Sequence, residues 1–144
     1  MSRPIVHATD FSPASRPAFA KAVELARRDR APLIVTHVML PPVMMVGDGY
    51  IPQATWDDIS RGQRKTSQKK LDALVARARA AGVRARGLLL EGQPADRILR
   101  AARGAGLLVI GTHGRTGLAR FILGSVASRV VAGARCPVVT VRGK

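Results

Sequence analysis

Five short apolar runs, separated by segments long enough for helices, constrain the fold of this chain most strongly. Each run has four to seven residues, is rich in β-branched side chains and lacks strict alternation, as expected for strands covered on both faces. The order β-α-β-α-β-α-β-α-β predicts an α/β fold with an open parallel sheet, right-handed crossovers and helices on both faces. The runs are residues 4–9, 33–39, 85–90, 107–110 and 137–141.

The segment after the first strand predicts an amphipathic helix. Pro17 favours Ser15 over Ser12 as the N-cap, because Pro17 would then occupy the second helical position, where no intrahelical donor is lost. The apolar positions recur at i, i+3, i+4 and i+7 and therefore share one helical face. They are Phe19, Ala22, Val23 and Ala26.

Three further helices are predicted between the remaining strands. The second spans residues 57–80 and ends at Gly82, the third runs from Pro94 or Ala95 to Ala102, and the fourth follows Gly124. The residues expected to face inward are Ile59, Leu71, Leu74, Val75 and Ala78 in the second helix, Ile98 and Leu99 in the third, and Val126, Val130 and Val131 in the fourth.

Length and composition exclude several classes of protein. A chain of 144 residues suits one compact domain, which we expect to span residues 1–144. The 47% of hydrophobic residues is too high for a disordered basic tail, and the 3% of aromatic residues requires an aliphatic core. Cys136 is the only cysteine, which excludes an internal disulfide and a cysteine-based zinc site.

The sequence also bears on location. No apolar stretch approaches the ~18 residues needed to cross a bilayer, and residues 1–4 lead directly into the first strand without the apolar core of a signal peptide. We therefore expect no membrane insertion and a cytoplasmic location.

The net charge of +15, from 24 Lys and Arg against 9 Asp and Glu, favours anionic partners. Residues 61–86 hold nine basic residues and one acid, Asp72, which indicates either the solvated face of a helix or a weak polyanion-binding surface. Only one tryptophan and one tyrosine are present, so an aromatic platform for base stacking is lacking. The nine are Arg61, Arg64, Lys65, Lys69, Lys70, Arg77, Arg79, Arg84 and Arg86.

The ends of the first and fourth strands carry the features of a ligand site. In open α/β sheets, ligands bind beyond the carboxyl ends of the strands where the strand order reverses. Glycines after the fourth strand allow close backbone approach, and a helix that opens at Gly124-Ser125 presents unpaired amides, so the two together predict an anion site. Arg115 would add charge, and the Ser125 hydroxyl would add a hydrogen bond. The chain has no G-x-x-x-x-G-K-[ST] motif, and no G-x-G-x-x-G follows the first strand.

Residues 40–55 form a longer connection than usual. With Met44, Met45 and Tyr50, this segment is either a flap over a ligand or a loop packed on its own core.

The spacing Gly111-x2-Gly114-x9-Gly124-Ser125 resembles the G-2x-G-9x-G-[ST] nucleotide motif of the universal stress protein family. Residues 6–12 resemble the opening strand and turn of that family and residues 136–141 its closing strand, so the resemblance covers essentially all 144 residues. It implies a Rossmann-like, five-stranded parallel sheet of order 3-2-1-4-5, whose reversal lies between the first and fourth strands.

The resemblance also implies a ligand and the residues that would hold it. The ligand is ATP, with ADP and AMP as alternatives, together with Mg²⁺ held by the phosphates. Where the family often has a second hydroxyl residue after the motif, this chain has Val126 and Ala127, which puts one phosphate contact in doubt. Ala8, Thr9, Asp10 and Val38 match the positions that hold adenine and ribose, and Gly111, His113, Gly114, Gly124, Ser125 and Val126 match those around the phosphates.

Single residues have alternative interpretations. Asp10 either accepts a hydrogen bond from the nucleoside or touches Mg²⁺, or it caps the turn before the first helix. His113 lies between glycines and can donate to phosphate, whereas His7 and His37 fall inside strands and are expected in the core or the pocket wall. Three histidines on separate segments make a poor metal site.

These observations favour a nucleotide-linked regulatory module of the stress response over an enzyme. No residue has a convincing role as the base that ATP hydrolysis requires, so we expect slow hydrolysis at most. Polyanion binding through residues 61–86 is the alternative function. The last strand would be an exposed sheet edge, and pairing with its twin predicts a homodimer through residues 137–142, as the family resemblance also implies.

Overall fold

A computed structural model of the chain describes residues 2–41, 52–112 and 124–143. In these ranges, strands and helices alternate as the apolar runs predict. The elements are β1 (Ile5–Ala8), a 3₁₀ turn (Pro13–Ser15), α1 (Arg16–Asp29), β2 (Leu33–Met39), α2 (Gln53–Ala80), β3 (Ala85–Glu91), α3 (Pro94–Ala101), β4 (Leu107–Gly111), α4 (Ser125–Gly133) and β5 (Val138–Val141).

The five strands form one parallel sheet in the order β3-β2-β1-β4-β5, which confirms the expected order. β1 is central, and Ile5 is in register with Leu33 of β2 on one side and Leu107 of β4 on the other. The chain moves outward through β2 and β3 and then returns to the other side of β1 with β4. The strand order therefore reverses between β1 and β4, and their carboxyl ends diverge into a crevice.

Two apolar layers cover the sheet. Alternate residues of β1 point to opposite faces, so Ile5 contributes to the layer under α1 and α2, while Val6 contributes to the layer under α3 and α4. Phe19, Ala22 and Ala26 of α1 are buried as expected. Both faces are thus covered by helices, which explains why the strands read as continuous apolar runs.

Helix α1 begins where the sequence predicts, but the side-chain hydrogen bond expected of its N-cap residue is not made. Ser15 directly precedes the helix, and Pro17 takes its second position. The Ser15 side chain makes no capping hydrogen bond, because its hydroxyl donates instead to the carbonyl oxygen of Ser12 at 2.7 Å. The 3₁₀ turn before α1 is what brings these two serines together.

Three apolar residues that the sequence places inside are on the surface. Ile59 is 37% exposed, because α2 begins four residues earlier than predicted and only its later turns, from Ser67 onward, reach the sheet. Val126 and Val131 of α4 are 36% and 42% exposed. This nine-residue helix buries a narrow stripe, Ala127 and Val130, so the expected stripe was too wide. No helix in the described ranges is long and apolar enough to cross a membrane.

Candidate functional site

A cleft of about 650 Å³ lies at the carboxyl ends of β1, β2 and β4, where the strand order reverses. The structure brings eight of the eleven sequence-predicted site residues together around it. His113, Gly114 and Arg115 lie outside the described residues, as do Met44, Met45 and Tyr50 of the long connection. The eight are Ala8, Thr9, Asp10, Val38, Gly111, Gly124, Ser125 and Val126.

Every polar group of Thr9 makes a hydrogen bond within the protein. Its amide donates to Thr36, and its carbonyl accepts a hydrogen bond from His37 Nδ1 at 2.8 Å. Its hydroxyl lies 3.0 Å from Ser15 Oγ; because the Ser15 proton goes to Ser12, the Thr9 hydroxyl is the donor of this pair. Thr9 therefore shapes the turn after β1 and has no hydroxyl proton left for a ligand.

Asp10 closes that turn. Its Oδ1 accepts a hydrogen bond from the Ser12 amide at 2.9 Å, which is the turn-capping role foreseen as an alternative for this residue. Phe11 lies between them with φ of 64°, a left-handed conformation that is uncommon for an aromatic residue. Asp10 still lines the cleft, and its second carboxylate oxygen remains an acceptor.

The start of α4 faces the same cleft. The Gly124 amide donates to the Thr112 carbonyl at 2.8 Å, and Ser128 makes the first hydrogen bond within the helix, to Gly124. The amides of Ser125, Val126 and Ala127 fall in the first turn, where a helix offers no acceptor, and all three residues line the cleft. These three amides have no hydrogen-bond partner among the described residues, and they lie at the positive end of the helix dipole, an arrangement that suits an anion.

Thr112 adds a polar atom that lacks a partner. Its Oγ1 is buried and has no hydrogen bond to any described residue, although the residue lines the cleft. An unsatisfied buried hydroxyl costs about 1–3 kcal/mol. A ligand oxygen placed beside it would remove that cost.

The opposite wall of the cleft is aromatic and apolar. The rings of Phe11 and His37 lie with their centroids 4.2 Å apart, and Lys70 Nζ is 5.8 Å from the centre of the Phe11 ring. Val38 and Ile98 line the cleft between this wall and α4. The site thus has a flat apolar part and an anion-binding part.

Comparison with known proteins agrees with this geometry. The model of the universal stress protein family matches residues 1–142. The chain belongs to the universal stress protein family. It is 36% identical over 141 residues to a universal stress protein of Methanocaldococcus jannaschii, covering 96% of this chain and 81% of that protein. It is 35% identical to the universal stress protein YxiE of Bacillus subtilis, covering 94% and 95%.

Solved structures of universal stress proteins share the fold. One from Burkholderia pseudomallei has a TM-score of 0.76 at 32% identity, covering 98% of this chain and 96% of that one. Another, from Archaeoglobus fulgidus in complex with dAMP, has a TM-score of 0.68 at 29% identity, covering 97% and 98%.

His7 lies behind the site in this family member and is fully buried. Its Nδ1 donates to the Val109 carbonyl at 3.0 Å, while Nε2 has no partner among the described residues. Burial lowers the pKa of His7 to about 4, against smaller raising effects of the Val109 carbonyl and of Asp10. His7 is therefore a neutral core residue near pH 7. His37 belongs to the cleft wall, so the sequence-based interpretation of both histidines is confirmed.

Sequence reasoning missed the contribution of α2 to the cleft. Gln63, Ser67 and Lys70 line it, because the middle of this long helix passes beside the end of β2. Ser67 carried a usable signal: it is a polar residue one helical turn before Leu71, on the stripe that faces the sheet. Gln63 and Lys70 share this face of the helix, since Gln63, Ser67 and Lys70 are spaced i, i+4 and i+7.

The basic residues between 61 and 86 lie on α2 and at the edge strand β3. Most are exposed, as expected for a solvated face, and five of the nine are engaged within the protein. Arg61 pairs with Asp58, Arg64 pairs with Glu91, Arg79 donates to the Ala85 carbonyl, and Arg77 and Lys70 lie over the rings of Phe19 and Phe11.

In the described ranges, no group of three His, Cys, Asp or Glu residues is placed to hold a metal ion.

Proposed function

We propose that this universal stress protein binds an adenine nucleotide in the cleft, with ATP as the principal ligand and ADP and AMP as competitors, and acts as a nucleotide-linked regulator. The observation that carries the proposal is that the first α4 amides and the Thr112 hydroxyl, which have no partner among the described residues, lie at one cleft with an apolar wall. Phosphate groups match these hydrogen-bond donors, and a purine ring matches the apolar wall.

The size of the cleft and a related structure with a bound nucleotide support this. A volume of about 650 Å³ falls within the ~300–1,000 Å³ typical of small-molecule sites. The Archaeoglobus fulgidus protein was solved with dAMP, an adenine nucleotide. In our proposal the base lies toward Val38, and the phosphates lie at Ser125 and Val126, with Gly114, His113 and Arg115 completing the phosphate end.

Mg²⁺ would arrive with the phosphates rather than bind a resident site. Asp10 is the only carboxylate among the described residues that line the cleft, and one of its oxygens already holds the Ser12 amide. A cation with one protein carboxylate needs phosphate oxygens and water to complete its octahedron.

The same scarcity of carboxylates supports binding with slow hydrolysis at most. A base or water-positioning group must lie near the terminal phosphate. Asp10 follows β1 and is tied into its own turn, whereas the free amides lie at α4. We therefore propose that the bound nucleotide acts as a signal and is not a substrate of rapid turnover.

Calorimetry with Mg-ATP tests the proposal. A β-carbon at Gly124 would lie 3.3 Å from the Thr112 carbonyl oxygen, so Gly124→Val should disturb the start of α4 and weaken binding at least tenfold. Gly62→Val is the matched control, because nothing lies within 4 Å of a β-carbon there. Circular dichroism and thermal melts verify that both variants are folded. Equal affinities of the two folded variants, or no binding by the unmodified chain, would reject the proposed site.

A homodimer through β5 is part of the proposal. β5 is an edge strand, and the carbonyls of Pro137 and Val141 accept hydrogen bonds from β4. The backbone groups of Val138 and Thr140, which alternate with these, face the open edge. The exposed Val131 of the neighbouring α4 adds apolar surface on the same side of the molecule. Pairing with a second copy would satisfy the edge.

Polyanion binding through α2 and β3 is the second candidate function. Lys65, Lys69, Arg84 and Arg86 are exposed and have no ion pair within the described ranges. Contacts of these residues to several phosphates would make the affinity for duplex DNA fall steeply with salt. A gel shift at low salt that persists unchanged at high salt, or no shift at all, would reject this candidate.

A further inference from the structure

A second cleft, of about 430 Å³, lies between α3 and the C-terminal end of α4, and four arginines line it. Arg97 and Arg100 belong to α3, Arg103 follows that helix, and Arg135 follows α4. The spacing of three residues places the first three along one side of the α3 segment. We propose that this arginine cleft binds a compact anion that carries two or more phosphate groups.

The four guanidinium groups have no salt-bridge partner among the described residues. Within the described residues none of them makes an ion pair or a side-chain hydrogen bond. Asp96 is the only carboxylate among the described residues that line the cleft, and it lies 3.9 Å from Arg129. Arginines so close together repel one another, and an anion between them would remove that repulsion.

The helix ends do not account for this concentration of charge. The C-termini of α3 and α4 each carry roughly half a negative charge, so together they offset about one of the four positive charges. None of the four guanidinium groups donates to a carbonyl oxygen at either helix end, as far as the described residues extend. A net excess of positive charge therefore remains in the cleft.

The backbone around the cleft holds its walls close together. A β-carbon on Gly133 would lie 2.8 Å from Leu99 Cδ1, so the absence of a side chain lets the end of α4 approach α3. A β-carbon on Gly92 would lie 2.8 Å from Arg97 Nε, which shows that this half-buried side chain rests over the backbone at the end of β3. Leu99 and Ala102 contribute apolar surface to the cleft. Arg97 is thus half-buried, while Arg100, Arg103 and Arg135 are exposed.

Shape and chemistry select a small phosphorylated anion. The planar guanidinium fork matches phosphate oxygens in pairs, and several forks around one cavity suit a ligand with several phosphates. No described aromatic residue lines the cleft, so a base has nothing on which to stack, and a duplex is too wide for a concave site of this volume. The arginine cleft would therefore recognise its ligand by the phosphates alone, whereas the proposed nucleotide cleft also offers an apolar wall to a base.

Arginine-labelled NMR with sodium tripolyphosphate tests the assignment on the full chain. The Nε–Hε signals of Arg97, Arg100, Arg103 and Arg135, assigned by single Arg→Gln variants, should shift together and saturate at one ligand per chain. Those of Arg84 and Arg86 should stay in place. Shifts spread evenly over all arginines, or no saturation, would overturn the proposal.

Calorimetry with matched variants tests the energetics. The double variant Arg100→Gln/Arg103→Gln shortens two exposed side chains, removes both charges and should weaken tripolyphosphate binding at least tenfold. Arg84→Gln/Arg86→Gln removes the same charge at β3 and should change it less than twofold. An equal loss of affinity in the two double variants would show that binding depends on the overall charge of the protein and not on the arginine cleft. Citrate binding as tightly as tripolyphosphate, or duplex DNA competing for the same arginines, would refute the ligand class.

The outcome is independent of the proposed nucleotide site. In Gly124→Val, the tripolyphosphate-induced shifts of the four arginines should persist even where Mg-ATP binding is lost. Loss of both in that folded variant would mean that the anion occupies the nucleotide cleft, and the arginine cleft would then be rejected.

Discussion

The amide of Gly124 donates a 2.8 Å hydrogen bond to the carbonyl oxygen of Thr112, joining the end of β4 to the start of α4. The amide of this motif glycine is therefore used within the protein. Gly124 matters instead because there is little room for a side chain: a β-carbon would lie 3.3 Å from the same carbonyl oxygen. In the proposed site, the donors to the ligand begin at the Ser125 amide and include the buried hydroxyl of Thr112.

We expect Thr112→Val to weaken Mg-ATP binding about five- to tenfold without loss of stability. The substitution nearly preserves shape and removes a buried hydroxyl that has no partner among the described residues. Calorimetry measures the affinity for Mg-ATP, and urea denaturation measures the free energy of unfolding. The comparison variant is Thr36→Val, whose hydroxyl donates to the Leu88 carbonyl at 2.8 Å. Thr36→Val should lose about 1 kcal/mol of stability and keep its affinity. The reverse pattern would exclude Thr112 as a ligand.

The buried His7 should make the protein less stable in mild acid. Its pKa is about 4 in the folded chain, against the ordinary 6.5 once the chain unfolds. Between these values the unfolded chain takes up a proton that the folded chain does not, so stability falls as the pH falls through this window. Between pH 7 and pH 5 we expect a loss of about 2 kcal/mol in urea unfolding. His7→Gln should flatten this part of the curve; an unchanged slope would contradict the assignment.

Gly87 should be intolerant of even one added carbon. It lies in β3 beneath α2, and a β-carbon would approach Leu71 Cγ to 2.9 Å and Val75 Cγ2 to 3.3 Å. Because Leu71 is fully buried and cannot swing away, we expect Gly87→Ala to reduce the free energy of unfolding by about 1–3 kcal/mol. Gly62→Ala, on an open surface of α2, should raise it by up to about 1 kcal/mol. A Gly87→Ala protein as stable as the parent would show that α2 can move off the sheet.

The proposed dimer is tested at the free edge of β5. Thr140→Pro removes an amide that faces outward while leaving the hydrogen bonds of Pro137 and Val141 with β4 intact. Sedimentation velocity should show a monomer for this variant and a dimer for Thr140→Val, which keeps the donor. A dimer in both variants would place the interface elsewhere.

The apolar runs predicted all five strands, because strands buried on both faces need continuous apolar sequence. The glycine spacing and the strand ends pointed to the edge of the sheet where the structure has a cleft, and the ligand itself stays a prediction. Errors arose where burial depends on a partner element. Ile59, Val126 and Val131 have the right spacing for an inward face, but the sheet ends before the first of them, and α3 covers only a narrow stripe beside the other two.

The order of strands and helices, the aliphatic core and the glycines of the motif follow from the sequence alone, because each depends on local spacing and side-chain type. Only the tertiary structure decided that the Thr9 hydroxyl donates to Ser15, that α2 contributes to the cleft wall, and that Arg135 lines a second cleft together with the arginines of the α3 segment. The second and third are contacts between segments far apart in sequence, and the first depends on the 3₁₀ turn before α1. Their geometry is set by how helices pack across the sheet, which no local pattern encodes.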